Sequence, residues 1–274
     1  MERRRKLVLA PILIAGLIAA IQYFGSERFV NPVTGRSARV GLSPEQEATL
    51  GLQSYRQVLA SETVLTGGPE VDLVNRVAKR LAEATGDSAR AFQWEVSVVR
   101  SPAANAFCLP GGKIVVYTGI LPVARDEAGL ATVMGHEMAH ATSRHGAQRL
   151  FQSQVTGTLM KGAQMSVAMG DLSADQQRAV LGAMGAGAKF GVLLPFSREH
   201  ESEADEVGLL YMARAGYDPR ESISFWQRMS ESGKGGQPPE FASTHPSHET
   251  RIRNLEAQMT QALQEYDRAK AARR

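Results

Sequence analysis

Val133-Met134-Gly135-His136-Glu137-Met138-Ala139-His140 sets two histidines four residues apart inside an apolar run. At about 3.6 residues per turn the two imidazoles leave the same face of a helix, one turn apart. Imidazoles so placed can share one ion, and imidazole suits Zn²⁺. Glu137 follows the first histidine and reaches the open side of the metal. There it can take a proton from an attacking water and later deliver it to a leaving amine. The flanks Val133, Met134, Met138, Ala139 and Ala141 are apolar, so a polar face here is buried and needs a chemical reason.

Working outward, the helix is expected to start at the N-cap Asp126 and to run to about Gln154. A catalytic zinc needs a third protein ligand and an open position. His145 is near, but on a straight helix it lies about half a turn out of phase with His136 and points away. It also misses the third-histidine spacing of metzincins, since Ser143 and Gly146 stand where Gly and His are required. His145 therefore reads as a structural or capping histidine. The better source is Ser197-Arg198-Glu199-His200-Glu201-Ser202-Glu203-Ala204-Asp205, which opens a helix ending at Gly216. Glu201 and Asp205 lie at i and i+4. One carboxylate can ligate zinc while the other accepts a proton from a liganding imidazole and fixes its orientation. Spacing alone does not choose among Glu199, Glu201 and Glu203.

The rest of the chain supplies a scaffold. Ser43-Pro44-Glu45-Gln46 has the form of a capping box. Val71, Val74, Val77 and Leu81 recur at helical spacing between Pro69 and Thr85, with Gly86 as a stop. Residues 92–99 alternate apolar and polar, and Lys113 to Tyr117 forms a second strand signal; together they predict a small antiparallel sheet. Pro219 opens a helix that ends near Gly233, a Gly- and Pro-rich loop covers 233–246, and Ser247 caps a charged last helix. The fold class expected is α+β and predominantly α-helical, with a metallopeptidase domain over 43–260 and a charged C-terminal helix end or tail over 261–274. Residues 155–196, rich in Gly, Met and Ala, read either as loosely packed helices or as a mobile lid or membrane-surface segment.

Arg3-Arg4-Arg5-Lys6 precedes an apolar run from Leu7 to Phe24 that only Gln22 breaks. A spanning helix needs about 20 residues and sometimes as few as 17. Residues 1–24 thus read as a signal anchor or transmembrane helix, followed by a linker over 25–42. The basic flank stays in the cytoplasm, which puts the remainder on the periplasmic side of a bacterial inner membrane. The alternative is a cleaved signal and a free periplasmic protein. The net charge of +3 rests on this basic end; without the first six residues the chain is neutral. No basic stripe is present, which excludes a nucleic-acid surface. Cys108 is the only cysteine, so no intramolecular disulfide can form.

Asn105-Ala106-Phe107, Pro110-Gly111-Gly112 to Thr118-Gly119, His136 to His140, Ser197-Arg198 to Ala204-Asp205, and Thr244-His245-Pro246 follow one another in this order. Jointly they resemble the HtpX-like and CAAX-prenyl-protease-like zinc metallopeptidases, most nearly the small exported BepA-like branch. The resemblance implies a gluzincin-type zincin site holding one Zn²⁺ per chain, with His136, His140 and Glu201 as ligands, Asp205 supporting a ligand and Glu137 as base. It implies that an edge strand formed by Gly112, Lys113, Ile114, Val115 and Val116 pairs with an extended polypeptide substrate. It gives His245 a place near the zinc in a latent state. Apart from the resemblance, His245 reads as a stabiliser of the oxyanion or as a loop histidine before proline, and nearby Arg251 as a substrate-binding or helix-capping residue. Implied substrates are misfolded or misassembled envelope proteins. No tetratricopeptide segment is seen, so recruitment through such repeats is not expected. Two rivals stand beside the protease: a chaperone-like protein with little proteolysis, and a purely structural zinc site, against which Glu137 argues.

Overall fold

A computed structural model describes residues 8–89, 91–188, 194–232, 241–242, 245 and 251–273. In chain order its elements are α1 (Ala10–Gly25), β1 (Glu27–Val30), β2 (Ser37–Val40), α2 (Pro44–Ser61), β3 (Val64–Leu65), α3 (Pro69–Ala84), β4 (Glu95–Val99), β5 (Ala106–Leu109), β6 (Lys113–Tyr117), α4 (Leu121–Ala124), α5 (Glu127–Thr142), α6 (His145–Ala168), α7 (Ala174–Ala188), α8 (Leu194–Arg214), α9 (Glu221–Ser232) and α10 (Arg251–Ala272). The expected Gly/Pro loop over 233–246 and the Ser247 cap fall mostly or wholly outside the described residues, as do Arg3 to Lys6, Thr244 and Pro246.

The chain forms two compact units. The first comprises Met1–Val30, Arg36–Leu42 and Ala147–Glu199. Within it α1 and α6 touch through small residues: a Cβ on Gly162 would sit 2.3 Å from the Ala15 Cβ, and the Ile12 N–H donates to Ser166 Oγ at 3.0 Å. The opposite side of α1 exposes Leu13, Ile14, Leu17, Ile21 and Phe24. The expected spanning helix is thus a helix of 16 residues, about 24 Å long at 1.5 Å per residue against a hydrocarbon layer of about 30 Å. Among the described residues no helix is long and apolar enough to cross a membrane. The expected linker contains the antiparallel hairpin β1–β2, registered Glu27 to Val40. The described part of the 155–196 segment is helical in α6, α7 and the start of α8, with a non-helical link over 169–173 between the first two.

The second unit comprises Asn31–Gly35, Ser43–Gly146 and His200–Arg274. The capping box at Ser43 forms as expected, with Gln46 N–H donating to Ser43 Oγ and Ser43 N–H to Gln46 Oε1. In α3 the buried residues Val74, Val77 and Leu81 face the core, and Gly86 follows at a left-handed φ of 57°. The sheet differs from the expectation. Its strand order is β3-β4-β6-β5, with β4 parallel to β6 and β5 antiparallel to it. Two residues at left-handed φ, Gly111 and Gly112, turn β5 back as a hairpin onto β6. That leaves β6 with both sides paired, Ile114, Val115 and Val116 fully buried, and β5 at the edge. Residues 113–116 are accordingly internal, not an edge.

The single long helix expected from Asp126 to Gln154 is two helices. Asp126 caps α5 as expected, accepting from the Gly129 N–H at 2.9 Å. The first helix stops at Thr142, Arg144 adopts a left-handed φ of 56°, and α6 starts afresh at His145. Such a backbone on a non-glycine residue is held by its side chain: Arg144 is buried and pairs with buried Glu47 at 2.6 Å.

Candidate metal centre

Every residue of α5 from Gly129 to Thr142 is buried, so this helix runs through the interior of its unit. It meets α8 backbone to backbone. A Cβ on Gly208 would lie 2.8 Å from the His136 N, and one on Gly135 would lie 3.0 Å from the Gly208 O. Glu201 lies about two turns before Gly208, and Asp205 about one, so the close contact carries both carboxylates onto the histidine face of α5.

His136 Nε2 and His140 Nε2 are 3.1 Å apart. Glu201 reaches both, with Oε2 3.4 Å from His136 Nε2 and Oε1 3.4 Å from His140 Nε2. His245 completes the group: its Nδ1 lies 3.2 Å from each oxygen of Glu201 and 3.3 Å from His136 Nε2. The four ligand atoms all fall within 4.8 Å of one another. Imidazole nitrogens and carboxylate oxygens converge here at a separation that suits a shared small cation, and the donor set is of the kind that holds zinc. Glu137 is buried beside them, with Oε1 3.4 Å from His245 Nε2.

A layer of polar contacts orients the group. Asp205 Oδ1 lies 2.9 Å from His136 Nδ1, and its Oδ2 accepts from Arg251 Nε at 2.6 Å. Arg251, only 2 % exposed, also donates to Glu201 Oε2 at 2.9 Å, and its guanidinium stacks 3.8 Å over the Trp226 ring. It is a buried clamp on the two carboxylates. Trp226 stacks on Phe241, which stacks on the His245 ring at 4.7 Å. That aromatic file places His245.

Electrostatics follow from these contacts. Burial disfavours charge on His136, but the carboxylates of Asp205 and Glu201 outweigh it and raise its pKa to about 9. His140 is lowered, chiefly by burial. Burial also opposes ionisation of Glu201 and Asp205. The three histidines hold Glu201 far below the usual carboxylate range, and the Arg251 charge with His136 does the same for Asp205. The Cys108 thiol is pushed well up by burial and by the Glu137 charge, so it is no ready thiolate.

The sequence-predicted residues His136, Glu137, His140, Glu201, Asp205 and His245 therefore come together. The choice that spacing left open among three glutamates resolves by position: Glu201 faces the histidines, Glu203 turns to His145, and exposed Glu199 pairs with Arg36. His145 does not point away. Because the helix restarts at His145, its ring turns back onto His140. The 31–35 turn was missed as well: inside the presumed linker, buried Asn31 bonds Ser143 and Glu203.

Residues 71–259 match the model of peptidase family M48. The chain belongs to peptidase family M48. It is 36% identical over 254 residues to the mitochondrial metalloendopeptidase OMA1 of Schizosaccharomyces pombe, covering 91% of this chain and 71% of that protein. It is 32% identical over 259 residues to the human metalloendopeptidase OMA1, covering 90% of this chain and 49% of that one. Against the beta-barrel assembly-enhancing protease of Escherichia coli the identity is 29% over 248 residues, covering 88% of this chain and 50% of that protein. Relatives of both kinds thus match over most of the chain. As an M48 peptidase it is a zinc metalloendopeptidase, and the His136, His140 and Glu201 group fits its metal.

Proposed function

We propose that this M48 peptidase cleaves misfolded or misassembled proteins of the bacterial cell envelope, with His136, His140 and Glu201 as zinc ligands. The observation that carries the assignment is the buried, convergent set of two histidines and one glutamate with Glu137 beside it. A zinc ion held there supplies Lewis acidity toward a peptide carbonyl and toward water. Glu137 takes the proton of the attacking water on its carboxylate and passes it to the leaving amine. Asp205 accepts the Nδ1 proton of His136 and so keeps Nε2 free for the metal. His245 is the fourth donor of a latent site. With His136, His140 and Glu201 it would complete a four-donor set, so His245 would have to give way before substrate could reach the site. Among the described residues β5 is paired on one side only, and an extended substrate would pair with the other by backbone hydrogen bonds, a mode tolerant of sequence.

The quality-control role and the envelope location draw on the relatives, one named for β-barrel assembly and others as mitochondrial metalloendopeptidases. The exposed apolar face of α1, next to the basic start of the chain, supports attachment to a membrane. The decisive experiment compares the parent with Glu137→Gln for zinc content and casein cleavage. Retained zinc with cleavage reduced at least a hundredfold is expected. Unchanged cleavage refutes the assignment. If neither protein cleaves and both suppress aggregation equally, the protein acts as a chaperone.

A further inference from the structure

His140 turns Nε2 toward Glu201 and His136, and its other nitrogen, Nδ1, meets the Nδ1 of His145 at 2.8 Å. On the far side of the His145 ring, Nε2 lies 2.9 Å from Glu203 Oε2. The second oxygen of Glu203 accepts from Asn31 Nδ2 at 3.0 Å and from Thr34 Oγ1 at 2.6 Å. Asn31 is itself fixed. Its Oδ1 accepts from the Val33 N–H at 2.9 Å, which leaves its amide nitrogen to donate to Glu203 and to Ser143 Oγ. His145 stacks at 4.0 Å on the His200 ring. Asn31, Ser143, His145, His200 and Glu203 are all buried.

Hydrogen-bond chemistry allows this line one polarity. A neutral histidine that ligates through Nε2 carries its hydrogen on Nδ1. The contact between the two Nδ1 atoms has room for one hydrogen, so it belongs to His140 and His145 Nδ1 accepts. The hydrogen of His145 then sits on Nε2 and is donated to Glu203. A carboxylate, which only accepts, ends the line and sets its direction.

We propose that His145 and Glu203 are positioning residues that hold His140 in its metal-binding tautomer and ring plane, with the 31–35 turn as their anchor. This rests on the reading of His140 as a zinc ligand. Glu203→Gln keeps the shape but reverses the signal. If its oxygen stays with Asn31 and Thr34, its NH₂ faces His145 Nε2, the His145 hydrogen moves to Nδ1, and the hydrogen of His140 is driven to Nε2, on the metal side. If the amide flips, its NH₂ meets the NH₂ of Asn31. His145→Phe removes both bonds. His145→Gln retains one acceptor and one donor.

The test is zinc affinity of the full chain by chelator competition, together with melting temperature with and without Zn²⁺. Glu203→Gln and His145→Phe should weaken zinc binding about 10–100-fold, and should shrink the zinc-induced rise in melting temperature more than they lower that of the zinc-free protein. His145→Gln should recover most of the affinity. Zinc affinity of Glu203→Gln within threefold of the parent, with equal drops in melting temperature in both states, overturns the proposal in favour of a merely structural role. If His145→Phe does not fold, Glu203→Gln and His145→Gln decide alone. His140→Ala separates the two levels: should it bind zinc like the parent, the ligand assignment itself fails.

Discussion

Replacing Gly208 with alanine tests whether the backbone contact between α5 and α8 sets the metal geometry. The added Cβ would meet the His136 N at 2.8 Å, the Gly135 C at 2.9 Å and the His136 Cα at 2.9 Å. All three are backbone atoms of a buried helix and cannot rotate aside. Ordinary contact starts near 3.4 Å, so the two helices must part by about 0.5 Å. Overpacking of this kind costs about 1–3 kcal/mol, partly offset by about 0.5–1 kcal/mol from replacing glycine within a helix. A net loss of about 0.5–2 kcal/mol lowers the melting temperature by about 1–8 °C at this chain length. The larger effect is on zinc. Ligand distances tolerate about 0.2 Å, and the shim lifts Glu201 and Asp205 away from His136 by more than that. Zinc affinity should fall at least tenfold, measured by chelator competition. Gly157→Ala in α6, where a Cβ meets nothing within 4 Å, is the control and should be neutral or stabilising. A Gly208→Ala protein with parental melting temperature and zinc affinity would refute the reasoning, because the helices would then not be spaced by this contact.

Three other perturbations follow from the charges. Asp205→Asn keeps the volume but removes the charge facing His136 and Arg251, and zinc affinity should drop about 10–100-fold by the same chelator assay. Because His136 has its pKa raised to about 9 in the zinc-free protein, it is protonated at pH 7.5 and must lose that proton to ligate. Calorimetry in two buffers of different ionisation enthalpy should detect release of about one proton, and zinc affinity should fall about tenfold per pH unit below 9. The sign for stability is opposite: the raised pKa stabilises the zinc-free fold below about pH 6.5 and that contribution is lost toward pH 9, which chelator-treated melting curves will show. Arg251→Met strands two buried carboxylates and should cost the zinc-free protein about 3–5 kcal/mol in denaturant unfolding, with zinc restoring part of it.

The histidine helix, the second helix with its acidic pair, and the helix starts at Ser43 and Asp126 were legible because each is a local pattern: a spacing, a cap, a period. What was not legible depends on long-range contacts. Ser143-Arg144 carries neither glycine nor proline, and the break there is held by Glu47, distant in sequence. A phase count that assumes a straight helix therefore sends His145 the wrong way. Strand direction failed for a similar reason. Alternation marks a strand but not its partner, and the strand Ala106–Leu109 between the two expected ones was not read as a strand at all. Asn31 sits between turn residues in a stretch that reads as linker, and nothing local says that its side chain is buried against Ser143 and Glu203.

The strand order has a consequence for handling other polypeptides. Ile114-Val115-Val116-Tyr117 is a β-branched and aromatic run of the kind that favours cross-β stacking where an edge is open. Here it is sealed between two neighbours, and the strands at the borders of the sheet are short, Val64–Leu65 on one side and Ala106–Leu109 on the other. Borders of two and four residues are too short to template a growing sheet. On the proposed quality-control role, a docking strand of this length would grip an aggregation-prone substrate without becoming a nucleus for its deposits.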